Sequence, residues 1–128
     1  MQNSIELQGL QVIVDRVVYR CIEEDLTHGK LHTFIYFLTI KNLADRMVTL
    51  LGRKWVICNE DGTQSVVEGD KIVGETPTLK PGEHFSYNSY HVAHCNARAK
   101  GSFHGLDEYR GTIYVKIPPF SMVIPNTQ

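Results

Sequence analysis

Residues 32–41 read HTFIYFLTIK, and their pattern decides the fold. In an extended chain Phe34, Tyr36, Leu38 and Ile40 share one side, while Thr33, Ile35, Phe37 and Thr39 share the other. An alternating run rich in aromatic and β-branched residues is a strand. Apolar groups on both sides predict a central strand covered on both faces. The neighbouring runs agree. Thr112-Ile-Tyr-Val-Lys-Ile117 alternates, with Ile113, Val115 and Ile117 on one face. Residues 53–58 send Trp55 and Ile57 one way and Lys54, Val56 and Cys58 the other, which predicts a buried Trp55. Residues 84–90 put Phe85 and Tyr87 together. In residues 11–20 the apolar positions switch face between Val14 and Val18, which predicts a bulge or a bend.

Turn chemistry separates these runs. Asp61-Gly62 between two strands is a hairpin signal. Pro81-Gly82 suits a turn in which proline presets φ and glycine accepts φ > 0. Pro118-Pro119 is expected to end the last long strand, because neither residue can donate to a ladder. Sustained helical periodicity is missing. About seven or eight short strands, with turns every ~10 residues, predict an all-β, antiparallel β-sandwich; a closed barrel is the alternative.

A length of 128 residues fits a single domain, 1–128, and is enough to bury a core without disulfides. Thirteen Lys and Arg against fourteen Asp and Glu leave a net charge of -1, so the composition indicates neither nucleic acid nor an anionic membrane surface as partner. No apolar run approaches the ~20 residues of a membrane span. The opening MQNSIELQGLQVIVDR has no basic start followed by an apolar core, so it is not expected to be a signal peptide. Cys21, Cys58 and Cys95 are odd in number and form no C-x-x-C pair, which fits free thiols in the cytoplasm. Cys21 and Cys58 fall in strand patterns and are expected to be small packed side chains.

Four pieces of sequence carry a resemblance. They are Phe37-Leu-Thr-Ile-Lys-Asn42; Leu50-Leu-Gly-Arg-Lys-Trp55; Val73-Gly-Glu-Thr-Pro-Thr-Leu-Lys-Pro-Gly-Glu83 with Phe85 and Tyr87; and Val115-Lys-Ile-Pro-Pro-Phe120. In this order and spacing the chain resembles the ApaG family from about Val12 to Val123. The resemblance implies a fibronectin type III-like, immunoglobulin-like β-sandwich. Family members occur as small bacterial proteins and as modules in eukaryotic proteins, including an F-box protein and a polymerase-interacting protein, where they are thought to mediate protein contacts. Bacterial members have been linked genetically to cobalt resistance and magnesium efflux, without an established biochemical activity. The family often carries G-P-G-V-V-G, which has prompted nucleotide- or pyrophosphate-binding proposals. Here Asp70 and Lys71 stand where the family has Pro and Gly. The segment from Tyr90 to Gly101 also departs from the family's pattern.

The residues themselves offer three candidate chemistries. Gly69-Asp-Lys-Ile-Val-Gly74 has spaced glycines, but Thr76 and Pro77 prevent the following helix that a dinucleotide fingerprint needs. It also lacks the Lys-Ser/Thr of a Walker loop. It is expected to be an irregular connection in which Gly74 takes φ > 0. A nest of backbone amides across Gly69, Lys71 and Gly74, helped by the Lys71 charge and with Arg53 and Lys54 as further cations, is the alternative, an anion loop for phosphate, pyrophosphate or nucleotide. His91, His94 and Cys95 are zinc- or cobalt-type ligands, yet alternation along a strand directs them to different faces, so no metal site is expected unless the chain turns there. Gly101-Ser-Phe-His-Gly105 places Ser102 and His104 on one strand face, without the spacing of a nucleophile elbow. No catalytic residues and no cofactor are assigned. The expected function is a cytoplasmic, non-catalytic module that contacts another protein, with homo-oligomerisation open. A role in divalent-cation homeostasis is the further alternative.

Overall fold

The computed structural model describes residues 3–23 and 30–125. In chain order its strands are β1 (Ile5–Glu6), β2 (Leu10–Glu23), β3 (Lys30–Asn42), β4 (Val48–Asn59), β5 (Gln64–Asp70), β6 (Thr78–Leu79), β7 (His84–Ala93), β8 (Ala97–Asp107) and β9 (Thr112–Met122). They form two sheets, one ordered β2-β3-β7 and the other β1-β9-β8-β4-β5, with β6 also on β4. The stretch 32–41 is thus part of the middle strand of the smaller sheet. All pairings are antiparallel except the short β1–β9 contact. The two-sheet sandwich is as expected. The number of long strands agrees with the expectation, but they are longer than expected, because β2, β3 and β4 continue through residues that look like turn or loop in sequence.

Phe34, Tyr36, Leu38 and Ile40 of β3 are buried between the sheets. The expectation that β3 is covered on both faces holds in part: among the described residues its outer face has no second layer, yet none of Thr33, Ile35, Phe37 and Thr39 is exposed. Ile35 and Phe37 are half-buried. Phe37 is shielded by the Arg16 guanidinium, 4.3 Å above its ring. Thr33 and Thr39 on this face are buried by neighbouring side chains. Thr39 Oγ1 donates to Asp15 Oδ2 at 2.6 Å and lies 2.9 Å from Ser86 Oγ.

Asp15 is also the extra residue of the expected bulge. The β2–β3 register shifts between Val14 and Arg16. Before the shift Leu10 and Val12 are buried, and after it Val17 and Tyr19 pack against the core, so one inserted residue keeps both halves of β2 facing inward.

Pro118 and Pro119 do not end β9, which runs on to Met122. The register between β8 and β9 shifts here: Gly101 pairs with Ile117 and Ala99 with Phe120. Both prolines fall in the irregularity, where no ladder donor is required of them. Beyond it Phe120 and Met122 return to the core.

The centre of the core is aromatic. Trp55 is 1% exposed, as expected, with ring centroids 4.9 Å from Tyr36 and 5.8 Å from Phe120. His91 belongs to the same cluster, 4.7 Å from both Tyr36 and Trp55. Asn42 closes one end of the core. It is fully buried, donates to the carbonyls of Arg46 and Leu79 at 2.8 Å each, and accepts from the Ala44 amide at 3.0 Å. Its side chain therefore ties the turn after β3 to β6.

Burial lowers the pKa of His91 to about 4, against about 6.5 in an unfolded chain. Between these two values the unfolded state binds a proton that the folded state does not, so stability falls as pH drops from about 6.5 to 4. The loss reaches at most about 3 kcal/mol. Urea denaturation of His91→Phe should show a shallower loss across this window than wild type. Equal slopes would contradict the placement of a neutral His91 in the core.

Candidate functional site

The anchoring of residues 69–74 begins with the alternation of β4. A bulge in the β4–β8 pairing lies between Leu50 and Gly52. Beyond it Arg53 shares the inward parity of Trp55 and Ile57, while Lys54 points to the outside. The two cations adjacent in sequence are therefore on opposite faces of one sheet. Arg53 Nη1 donates to the carbonyl oxygens of Asp70 and Lys71, both at 2.8 Å. A Cβ on Gly69 would come within 2.8 Å of that nitrogen, so the missing side chain makes room for the guanidinium.

The loop then turns back on itself. Ile72 and Glu75 exchange backbone hydrogen bonds of 2.7 and 3.0 Å. Val73 and Gly74 between them have φ of 52° and 79°. Two positive φ values in a two-residue connection define a type I′ turn. Lys71 also has a positive φ, 68°, and its amide donates to the Leu51 carbonyl at 2.7 Å. Ile72 is fully buried in the middle of this exposed segment. The expectation for Gly74 agrees with its φ. Gly69 needs no positive φ, and its role is close approach. The amides of Lys71 and Ile72 are engaged within the protein, which leaves little of the backbone nest that the anion-loop alternative requires.

Behind the loop is a crevice of about 180 Å³ between the sheets, lined by Tyr36, Arg53, Lys71, Val73, Tyr87 and Ser89 with Asp70 and Gly74. Burial pushes the Tyr36 and Tyr87 phenols above their usual range, so both stay protonated. The Tyr87 hydroxyl is buried with no hydrogen-bond partner.

Of the expected metal candidates, His91 separates from His94 and Cys95, which the turn after β7 keeps together. His91 faces the core, while His94 is exposed in the turn after β7. His94 instead meets Asp61, the residue read as half of a hairpin turn, with Nε2 3.0 Å from Oδ2. One ligand atom each from Asp61, His94 and Cys95 lies within 4.8 Å of the others. The Glu60 amide donates to the Asn96 carbonyl at 2.9 Å and joins the two turns. Thr63 donates to Asp61 Oδ1 through its amide and hydroxyl, at 2.9 and 2.6 Å. The Thr63 hydroxyl, then His94, holds this carboxyl well below the usual carboxylate range. No local sequence signal marks a partner 33 residues away. Ser102 and His104 share the outer face of β8 as expected, with no hydrogen bond between them among the described residues. Cys58 is half-buried, but Cys21, near the end of β2, is exposed and not packed as expected.

A second concavity occupies the outer face of the larger sheet. It measures about 530 Å³ and is bordered by Lys54, Lys100 and Lys116. Val56, Tyr114 and the two prolines supply apolar surface. The β8–β9 irregularity that admits the prolines also shapes this groove.

These features define a small two-sheet β-sandwich whose concave surfaces are made by strand faces and connecting turns. Residues 23–106 match the family model of the ApaG domain. Protein ApaG of Vibrio cholerae is 37% identical over 120 residues, 92% of this chain and 95% of that protein. Protein ApaG of Deinococcus radiodurans is 42% identical over 92 residues, 71% of this chain and 72% of that protein. A structural-genomics X-ray structure superposes with a TM-score of 0.78 and 28% identity, covering 94% of this chain and 90% of that one. A solved ApaA protein from Bordetella pertussis has the same fold, with a TM-score of 0.74, 24% identity and coverage of 96% and 99%. The chain belongs to the ApaG family.

Val73 is a β-branched residue at positive φ, where such side chains are strained. It is also 54% exposed. Asparagine before glycine is the preferred pair in a type I′ turn. Val73→Asn should therefore stabilise the domain by about 0.5–1 kcal/mol in urea denaturation. A destabilised variant would contradict the turn assignment.

Proposed function

We propose that this ApaG-family domain acts without catalysis, as a module that binds another protein through the groove on the outer face of its larger sheet. One observation carries the reading. Three lysines, Lys54, Lys100 and Lys116, surround an apolar surface of Val56, Tyr114, Pro118 and Pro119 in a concave site. Among the described residues only Lys54 of the three has a carboxylate close by, Glu68 at 3.5 Å, and that contact is exposed. Exposed pairs contribute little. Such a surface matches a segment that interleaves acidic and apolar side chains, because complementary charge steers encounter while apolar contact holds the complex. A larger depression near Gly74–Phe85 carries Glu75 and Glu83 and offers no comparable charge complementarity. We place the module in the cytoplasm. The three cysteines are unpaired, and no described helix is long and apolar enough to cross a membrane.

A photo-crosslinker in place of Tyr114 tests this in native extract, with the same group at exposed Lys80 as control. Captured peptides should be rich in Asp, Glu and apolar residues. Reversing Lys100 and Lys116 to Glu should weaken capture about tenfold or more, the factor that corresponds to roughly 1.4 kcal/mol, at unchanged melting temperature. Capture that ignores the reversal, or matches that at Lys80, would contradict the proposal.

A further inference from the structure

We propose that the crevice between the sheets, behind residues 69–74, binds one phosphate-sized oxyanion through side chains, with Arg53 as its charged anchor. This site is separate from the lysine groove, since Arg53 faces inward and Lys54 outward on the same strand. Arg53 is half-buried, and its Nη1 is committed to the carbonyls of Asp70 and Lys71. Those bonds fix the plane of the guanidinium. Its Nε–H and Nη2 hydrogens form no hydrogen bond within the described residues. A planar fork held in place by its other half is suited to oxyanion recognition.

The opposite wall is lined by Tyr36, Tyr87 and Ser89, side chains whose hydroxyls are neutral donors. The Tyr87 hydroxyl is buried and without a partner, although buried hydroxyls are nearly always hydrogen-bonded. The Tyr36 hydroxyl lies beside Ser89 and feels the Arg53 charge. Lys71 lines the mouth, and Asp70 is the only carboxylate in the lining, leaving a formal balance of one positive charge. The lip of the crevice includes Lys71 and Val73, two non-glycine residues at positive φ. Strain of this kind is concentrated at ligand clamps and active sites. Size fixes the ligand class. A volume of about 180 Å³ is below the roughly 300–1,000 Å³ of sites that enclose drug-sized molecules. It accepts a phosphate, free or at the end of a larger molecule, and has no room for a nucleoside.

The test is calorimetric titration of the full chain with inorganic phosphate, pyrophosphate, ATP and adenosine at two salt concentrations, alongside melting temperatures. Phosphate should bind at or below about millimolar and weaken with salt. Adenosine should not bind. ATP binding much weaker than phosphate would assign the site to the free ion, and equal binding to a terminal phosphate. Arg53→Lys should weaken phosphate at least tenfold. Tyr87→Phe should weaken it several-fold while leaving the ligand-free melting temperature unchanged or higher, since it removes an unpartnered buried hydroxyl and keeps the ring. The second variant separates binding from folding if Arg53→Lys is unstable. Phosphate affinity equal in wild type and Tyr87→Phe, phosphate binding no tighter than about 10 mM, or adenosine competing for the site would overturn the proposal.

Discussion

A single isoleucine holds the open side of the sandwich. Ile72 is fully buried, although its neighbours Lys71, Val73 and Gly74 are exposed. Removing such a side chain from water contributes about 1.5–3 kcal/mol, enough to offset an unfavourable backbone on either side. To insert it, the chain must leave β5, dip between the sheets and return within a few residues. The positive φ of Lys71, the type I′ turn at Val73-Gly74 and the bonds from Arg53 to the Asp70 and Lys71 carbonyls are parts of that path. The spaced glycines are consequences of it. Gly69 makes room for Arg53, and Gly74 takes the second position of the turn. The crevice is the space left between this insertion and the rings of Tyr36 and Tyr87.

Strand alternation assigns the remaining roles. Arg53 and Lys54 are neighbours in sequence and serve different sites, one between the sheets and one on the outer groove. His91 and His94 separate in the same way. His91 becomes a neutral core side chain among Tyr36, Trp55 and Phe120, and His94 an exposed partner of Asp61. Where the period slips, the slip has a use. The shift at Asp15 keeps β2 facing inward, and the shift at Pro118-Pro119 opens the basic groove.

Much of this architecture was legible in the chain. The period-2 runs locate β3, β4, β7 and β9, and the face switch between Val14 and Val18 locates the β2 bulge. Gly62, Gly74 and Gly82 all take positive φ at the turns their neighbours suggest. Other features depend on contacts distant in sequence. Proline chemistry argued for an end to β9, but a register shift against β8, with both prolines opposite the single residue Lys100, removed the need for a donor. Ile72 looks like one apolar residue in a polar loop, and nothing local shows that it enters the core. Val73 at positive φ runs against its own preference, because the insertion of Ile72 decides the backbone there. Asp61 carries a clear turn signal that hides its second contact, with His94. The ApaG resemblance was legible from four short pieces, and it covers the fold more fully than the sites.

Amide hydrogen exchange across residues 69–76 tests the inserted loop most directly, because protection reports whether a backbone bond opens alone or with the surrounding core. The amides of Lys71, Ile72 and Glu75 donate to Leu51, Glu75 and Ile72 respectively. If Ile72 is locked between the sheets, these three should exchange on the timescale of β4, while Val73 and Gly74 exchange rapidly. Fast exchange at Ile72, equal to that of Val73, would mean that the segment is an ordinary surface loop and that the crevice has no fixed wall.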